Sequence, residues 1–144
     1  MYEFHSWVVI RNQQIDRENE SNLISDTELH RKYENMIKAL VAKLNERPGG
    51  ILEDSYKLVG SNGSTTLHFS GLWNHAGPNV IDILEWIRIN APYSYGLAYI
   101  HDDECSEHPD DFVVYRLAKN KITKLEDQYL SPYFDEVDSG YYAD

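Results

Sequence analysis

The 144-residue sequence predicts an α+β domain in the order β-α-β-β-α-β-β, a mainly antiparallel sheet with two helices packed on one face. Three observations carry this. Several short stretches alternate in side-chain character at period two, and two others repeat apolar residues at helical spacing. Adjacent strand candidates are joined mostly by short turns, which suit antiparallel pairing.

Tyr2 to Arg11 reads as the first strand, with Tyr2, Phe4, Val8 and Ile10 on one side and His5, Trp7 and Val9 on the other. Asn12 to Ser25 is polar, charged and aperiodic, hence a loop. Ser25-Asp26-Thr27-Glu28 has the pattern of a capping box, in which the Ser and Glu side chains satisfy each other's orphan amides. Behind it Leu29, Tyr33, Met36, Ile37, Leu40, Val41 and Leu44 form one apolar stripe, and Arg47-Pro48-Gly49-Gly50 ends the helix.

Ile51 to Val59 and Ser64 to Leu72 are strand-like. Gly60-Ser61-Asn62-Gly63 between them is rich in residues that accept positive φ, which predicts a hairpin. Gly77-Pro78-Asn79 starts the second helix, striped by Val80, Ile83, Leu84 and Ile87 with Trp86 beside them, and Ala91-Pro92 stops it. Tyr93 to Ile100 and Phe112 to Ala118 read as strands, and a turn around Asn120 leads into a last strand from Ile122 to about Glu126. The acidic tail from Ser131 to Asp144 has too few aliphatic residues for a regular element. Without repeats or a composition break, residues 1–144 read as one domain.

The composition narrows the function classes. With 42% apolar and 12% aromatic residues the chain is no disordered polyanion, and its length suffices to bury roughly 68–70% of the unfolded surface. No apolar run is long enough for a membrane span, and the opening residues lack the basic-then-apolar pattern of a secretory leader. Cys105 has no partner cysteine, so a reducing, cytoplasmic setting is expected.

The formal charge is −11, and it is skewed: residues 1–100 hold 12 acidic and 9 basic side chains, residues 101–144 hold 12 and 4. Two runs dominate, Asp102-Asp103-Glu104 with Glu107, Asp110 and Asp111, then Glu126-Asp127 with Asp135, Glu136 and Asp138. Such runs solvate a surface, or they steer a basic partner. They repel nucleic acid.

No catalytic set stands out. The stretch His101 to His108 offers oxygen, nitrogen and sulfur ligands but matches no metal-binding spacing, and Cys105 has no neighbouring cation to activate it. Gly60 to Ser64 lacks the Lys and following helix of a phosphate loop. No cofactor is expected. Core packing is the expectation for Trp86 and Trp7, whereas Trp73-Asn74-His75, in a turn after a strand, is the candidate exposed anchor for a protein partner.

Several stretches together resemble the immunity protein 7 family, found beside bacterial polymorphic and contact-dependent toxins. They are Glu3-Phe4-His5-Ser6-Trp7 with Ile10-Arg11, Leu67-His68-Phe69-Ser70-Gly71 with Asn74-His75, and Ser94-Tyr95-Gly96-Leu97-Ala98-Tyr99 running into Asp102-Asp103-Glu104. Phe112-Val113-Val114-Tyr115 with Leu117-Ala118, then Glu126-Asp127 and Leu130-Ser131-Pro132, resemble the closing third. The likeness runs through nearly the whole chain in order. The chain departs from the family pattern at Ser6, where glycine is expected, and after Pro132, where Tyr133-Phe134-Asp135-Glu136 replaces a cysteine-containing tail.

The resemblance implies a protein that neutralises a cognate toxin domain without catalysis of its own. The skewed charge suits a nuclease, an RNase above all, whose phosphate-binding cleft is basic. The toxin-binding residues expected are Asp102, Asp103, Glu104, Glu107, Asp110 and Asp111 in the loop, Asp135, Glu136, Asp138 and Tyr133 in the tail, and Trp73 with His75. The motif glycines Gly71 and Gly96 are expected to permit close backbone approach. Two other readings compete: a metal-dependent hydrolase using His101, Asp102 and His108, and an acidic nucleic-acid mimic that binds basic proteins at large.

Overall fold

The computed structural model describes residues 1–12, 26–75, 79–127 and 130–132. Its strands are β1 (Tyr2–Ile10), β2 (Tyr56–Ser61), β3 (Ser64–Trp73), β4 (Tyr95–Asp102), β5 (Val113–Ala118) and β6 (Lys121–Glu126). Its helices are α1 (Asp26–Leu44), between β1 and β2, and α2 (Val80–Asn90), between β3 and β4. The strands form one sheet in the order β2-β3-β1-β4-β5-β6, every neighbouring pair antiparallel. The α+β class holds. Three strands follow α2, at the three segments the sequence marks there, one more than the order β-α-β-β-α-β-β counts.

The side-chain alternation sorts the residues into two layers. Every strand residue of the main hydrophobic cluster, among them Phe4, Val8, Leu67, Phe69, Ala98, Ile100 and Leu117, lies on one face by register, while buried Val114 lies on the other. On that face they meet Leu40 and Leu44 of α1 and Val80, Ile83, Leu84 and Ile87 of α2, the residues of the two predicted stripes. Burial of each Val, Leu, Ile or Phe side chain here contributes about 1.5–3 kcal/mol, so this layer supplies most of the hydrophobic stabilisation. The opposite face carries no helix among the described residues. Trp7 lies there, half-buried and edge-on to Tyr95 at 6.3 Å, which corrects the expectation that it packs in the core.

The turns follow their residue chemistry. Asn62 (φ 51°) and Gly63 (φ 76°) close the β2–β3 hairpin between paired Ser61 and Ser64. Lys119 (φ 51°) and Asn120 (φ 55°) close β5–β6 in the same left-handed sense, as two-residue hairpin loops require. A Cβ on Gly96 would strike the Trp7 carbonyl and come within 2.7 Å of the Val8 Cα, so β1 and β4 approach there as only glycine permits. At Gly71 the expectation needs amending: the space a Cβ would take, 2.9 Å from two ring atoms, is filled by the Phe4 side chain rather than by backbone.

Some boundaries differ from expectation. Ile51 and Leu52 are not strand, and Glu53–Ser55 forms a single 3-10 turn, so β2 begins only at Tyr56. Ile51 is buried and donates its N–H to Leu44 O at 2.7 Å, so the loop closing α1 captures it before the sheet begins. β4 likewise starts at Tyr95 rather than Tyr93, whose N–H is donated to Arg11 O at 3.0 Å. α2 is capped by the Asn79 side chain, which accepts the Asp82 N–H at 3.3 Å. Gly77-Pro78 and the Ser25 cap lie outside the described residues.

Candidate functional site

The acidic stretch after β4 forms a loop at one end of the sheet, pinned by side chains distant in sequence. The Asp102 carboxylate accepts the Glu104 N–H at 3.0 Å, folding the loop back on itself just past the strand. Asp103 receives the Met1 ammonium at 2.5 Å and donates its own N–H to Met1 O at 3.1 Å, which fastens the loop to the start of β1. That ammonium, through its hydrogen bond and then its charge, holds the Asp103 carboxyl below its ordinary range. The Glu104 carboxylate accepts a hydrogen bond from His75 Nδ1 at 2.8 Å, which ties in the segment after β3. His75 and the acidic loop were separate expectations in the sequence; β3 and β4, both bonded to β1, bring their ends together.

The far side of the loop is held as well. Asp111 lies 3.1 Å from His108 Nδ1, whose Nε2 is 3.6 Å from Glu126 of β6. His101 is buried and donates from Nε2 to Pro109 O at 2.6 Å. His101 and His108 are thus engaged with different partners, and among the described residues no group of three His, Cys, Asp or Glu side chains is placed to hold a metal ion. Glu107 and Asp110 are exposed on the loop between these attachment points. The loop is therefore an acidic projection with two kinds of carboxylate. Those of Asp102, Asp103, Glu104 and Asp111 shape it, and those of Glu107 and Asp110 face water.

Trp73, expected to be an exposed anchor, is half-buried at the end of β3 on the helix-covered face and packs against the core. Period two turns its neighbour Leu72 to the open face, 66% exposed. Tyr133, Asp135, Glu136 and Asp138 lie outside the described residues. What the sequence did not signal is the set of ties Met1–Asp103, His75–Glu104 and His108–Glu126, because each joins elements that only sheet pairing makes neighbours. No helix among the described residues is long and apolar enough to cross a membrane.

Residues 1–139 match the family model described as Immunity protein 7. No curated protein and no solved structure matches the chain.

Proposed function

The chain belongs to the immunity protein 7 family and is an immunity protein directed at a toxin; from that premise we propose that it neutralises a nuclease toxin, an RNase above all, by laying its acidic loop over the toxin's basic substrate cleft. The observation that carries this reading is the pinned loop. Four carboxylates are spent on fixing its shape, and Glu107 and Asp110 are left facing water. A nuclease cleft holds phosphates with Lys and Arg, and carboxylates held in a fixed arrangement can replace those phosphates as charge-assisted partners. Preorganisation lowers the ordering cost of association, and the net charge of −11 speeds encounter. In this reading the protein works in the cytoplasm of the toxin-producing cell, uses no cofactor and turns over no substrate. The toxin domain is the basic C-terminal part of a large secreted protein.

The test is charge reversal at the two exposed positions. Glu107→Lys with Asp110→Lys should slow association with the cognate toxin about tenfold or more at low ionic strength, with a smaller change in dissociation and an unaltered far-ultraviolet spectrum. The effect should shrink as salt is added, because the Debye length falls to about 8 Å at physiological ionic strength. Unchanged association at low salt would remove this surface from the mechanism.

A further inference from the structure

On the open face of the sheet, opposite both helices, lies a cavity of about 560 Å³. Its walls are aromatic and aliphatic. Tyr99 and Phe112 meet edge to face at 6.4 Å, His5 lies 6.2 Å from Phe112, and Leu130 and Pro132 add to the lining. Two carboxylates enter this apolar lining, Glu3 from β1 and Asp127 from just past β6, and no Lys or Arg is among its described lining residues. Glu3 is only 19% exposed and accepts one hydrogen bond, from His5 Nε2 at 2.7 Å. Asp127 is held in place by the Leu130 N–H at 3.3 Å and the Ser131 hydroxyl at 3.2 Å.

The chemistry of the walls selects an occupant. A partly desolvated carboxylate among aromatic edges is costly unless a cation joins it. A guanidinium suits the place, since its plane stacks on aromatic rings, its fork matches a carboxylate, and its aliphatic stem covers apolar surface. A neutral apolar group would displace water from Glu3 and Asp127 and add no charge beyond the hydrogen bonds they accept from His5, Leu130 and Ser131, and a bare ammonium would not use the rings as fully. We propose that this cavity is a second docking point of the toxin interface, which seats an arginine side chain of the toxin between the Tyr99–Phe112 pair and the carboxylates of Glu3 and Asp127. The inference rests on the proposed function for its partner. The two surfaces divide the work: the acidic loop governs encounter, and the aromatic cavity governs release.

The experiment has a toxin-free arm and a complex arm, both on the full chain. In the first, butylguanidinium chloride is titrated into the protein while the aromatic resonances of Tyr99 and Phe112 are followed, with neutral butylurea as control. Saturable shifts in the millimolar range, absent with butylurea and weakened about fivefold or more in Glu3→Gln, are expected. No saturation, or an equal response to butylurea, would overturn the assignment. In the second arm Glu3→Gln should speed dissociation of the cognate toxin about tenfold and leave association unchanged. Unaltered dissociation in Glu3→Gln, with toxin neutralisation intact, defeats the cavity and spares the function. Failure of the unaltered chain to neutralise its toxin defeats the function, and the butylguanidinium titration still decides whether the cavity takes a guanidinium.

Discussion

The two faces of the sheet come from the same six strands, yet they differ in what each can tolerate. Toward the helices the strands present Phe4, Val8, Leu67, Phe69, Ala98 and Leu117, all nearly or fully inaccessible. Toward the open side β1 and β4 present Glu3, His5, Trp7, Tyr95 and Tyr99, which bring charge, ring nitrogens and hydroxyls together with aromatic surface. A face covered by helices must exclude unmatched polar groups, because burial without a partner costs free energy. A face without helices can combine aromatic surface with carboxylates, the mixture that recognises cationic partners. The hydrophobic cluster is concentrated on one side of a single sheet, and among the described residues the other side keeps more polar and partly exposed groups.

The contrast is sharpest at neighbouring positions of β1. Phe4→Ala should cost about 3–5 kcal/mol in denaturant unfolding, since it empties a site fully enclosed by Phe69, Tyr2 and the gap at Gly71. Trp7→Ala, on the half-buried face, should cost about 1–2 kcal/mol despite the larger ring. Equal losses would break the division between the faces.

The border between the layers is probed by Tyr2, whose hydroxyl is pushed up to about 12, first by burial and then by the charges of Asp102 and Tyr115. Folding therefore favours the neutral phenol. That contribution is fully present below pH 10 and is lost as the pH rises from 10 toward 12, where the unfolded chain gives up its proton first. Across that window the unaltered chain should lose about 1–2 kcal/mol more stability than Tyr2→Phe, after allowance for the partial exposure of the ring. Parallel alkaline curves would place Tyr2 outside the core layer.

The smallest effect concerns the polar exception on the covered side. The buried Ser6 hydroxyl has no hydrogen-bond partner among the described residues. Ser6→Ala should raise stability by about 1 kcal/mol, read as a higher denaturation midpoint at unchanged m-value. A loss instead would show that the hydroxyl is satisfied.

Much of this was legible in the sequence. The α1 and α2 stripes predicted the helical residues that reach the core, and the Asn62-Gly63 and Asn120 turns located two hairpins, because these signals are local to a few residues. Ile51 was misread, since a short apolar stretch beside a helix end suits a capping loop as well as a strand. The acidic loop was legible as charge. Its shape was not, since His75 lies 29 residues from Glu104 and Met1 is 102 residues from Asp103.

By itself the sequence determined the order of strands and helices, two of their hairpin turns and how unevenly the charge is spread, because these depend on spacing along the chain. The tertiary structure alone decided that β1 lies between β3 and β4, which carboxylates are spent on holding the loop, and that Glu3 and Asp127, 124 positions apart, line one aromatic cavity. Strand order is a non-local choice. It follows from how the whole set of half-apolar strands buries one common face, and no window of residues contains that information.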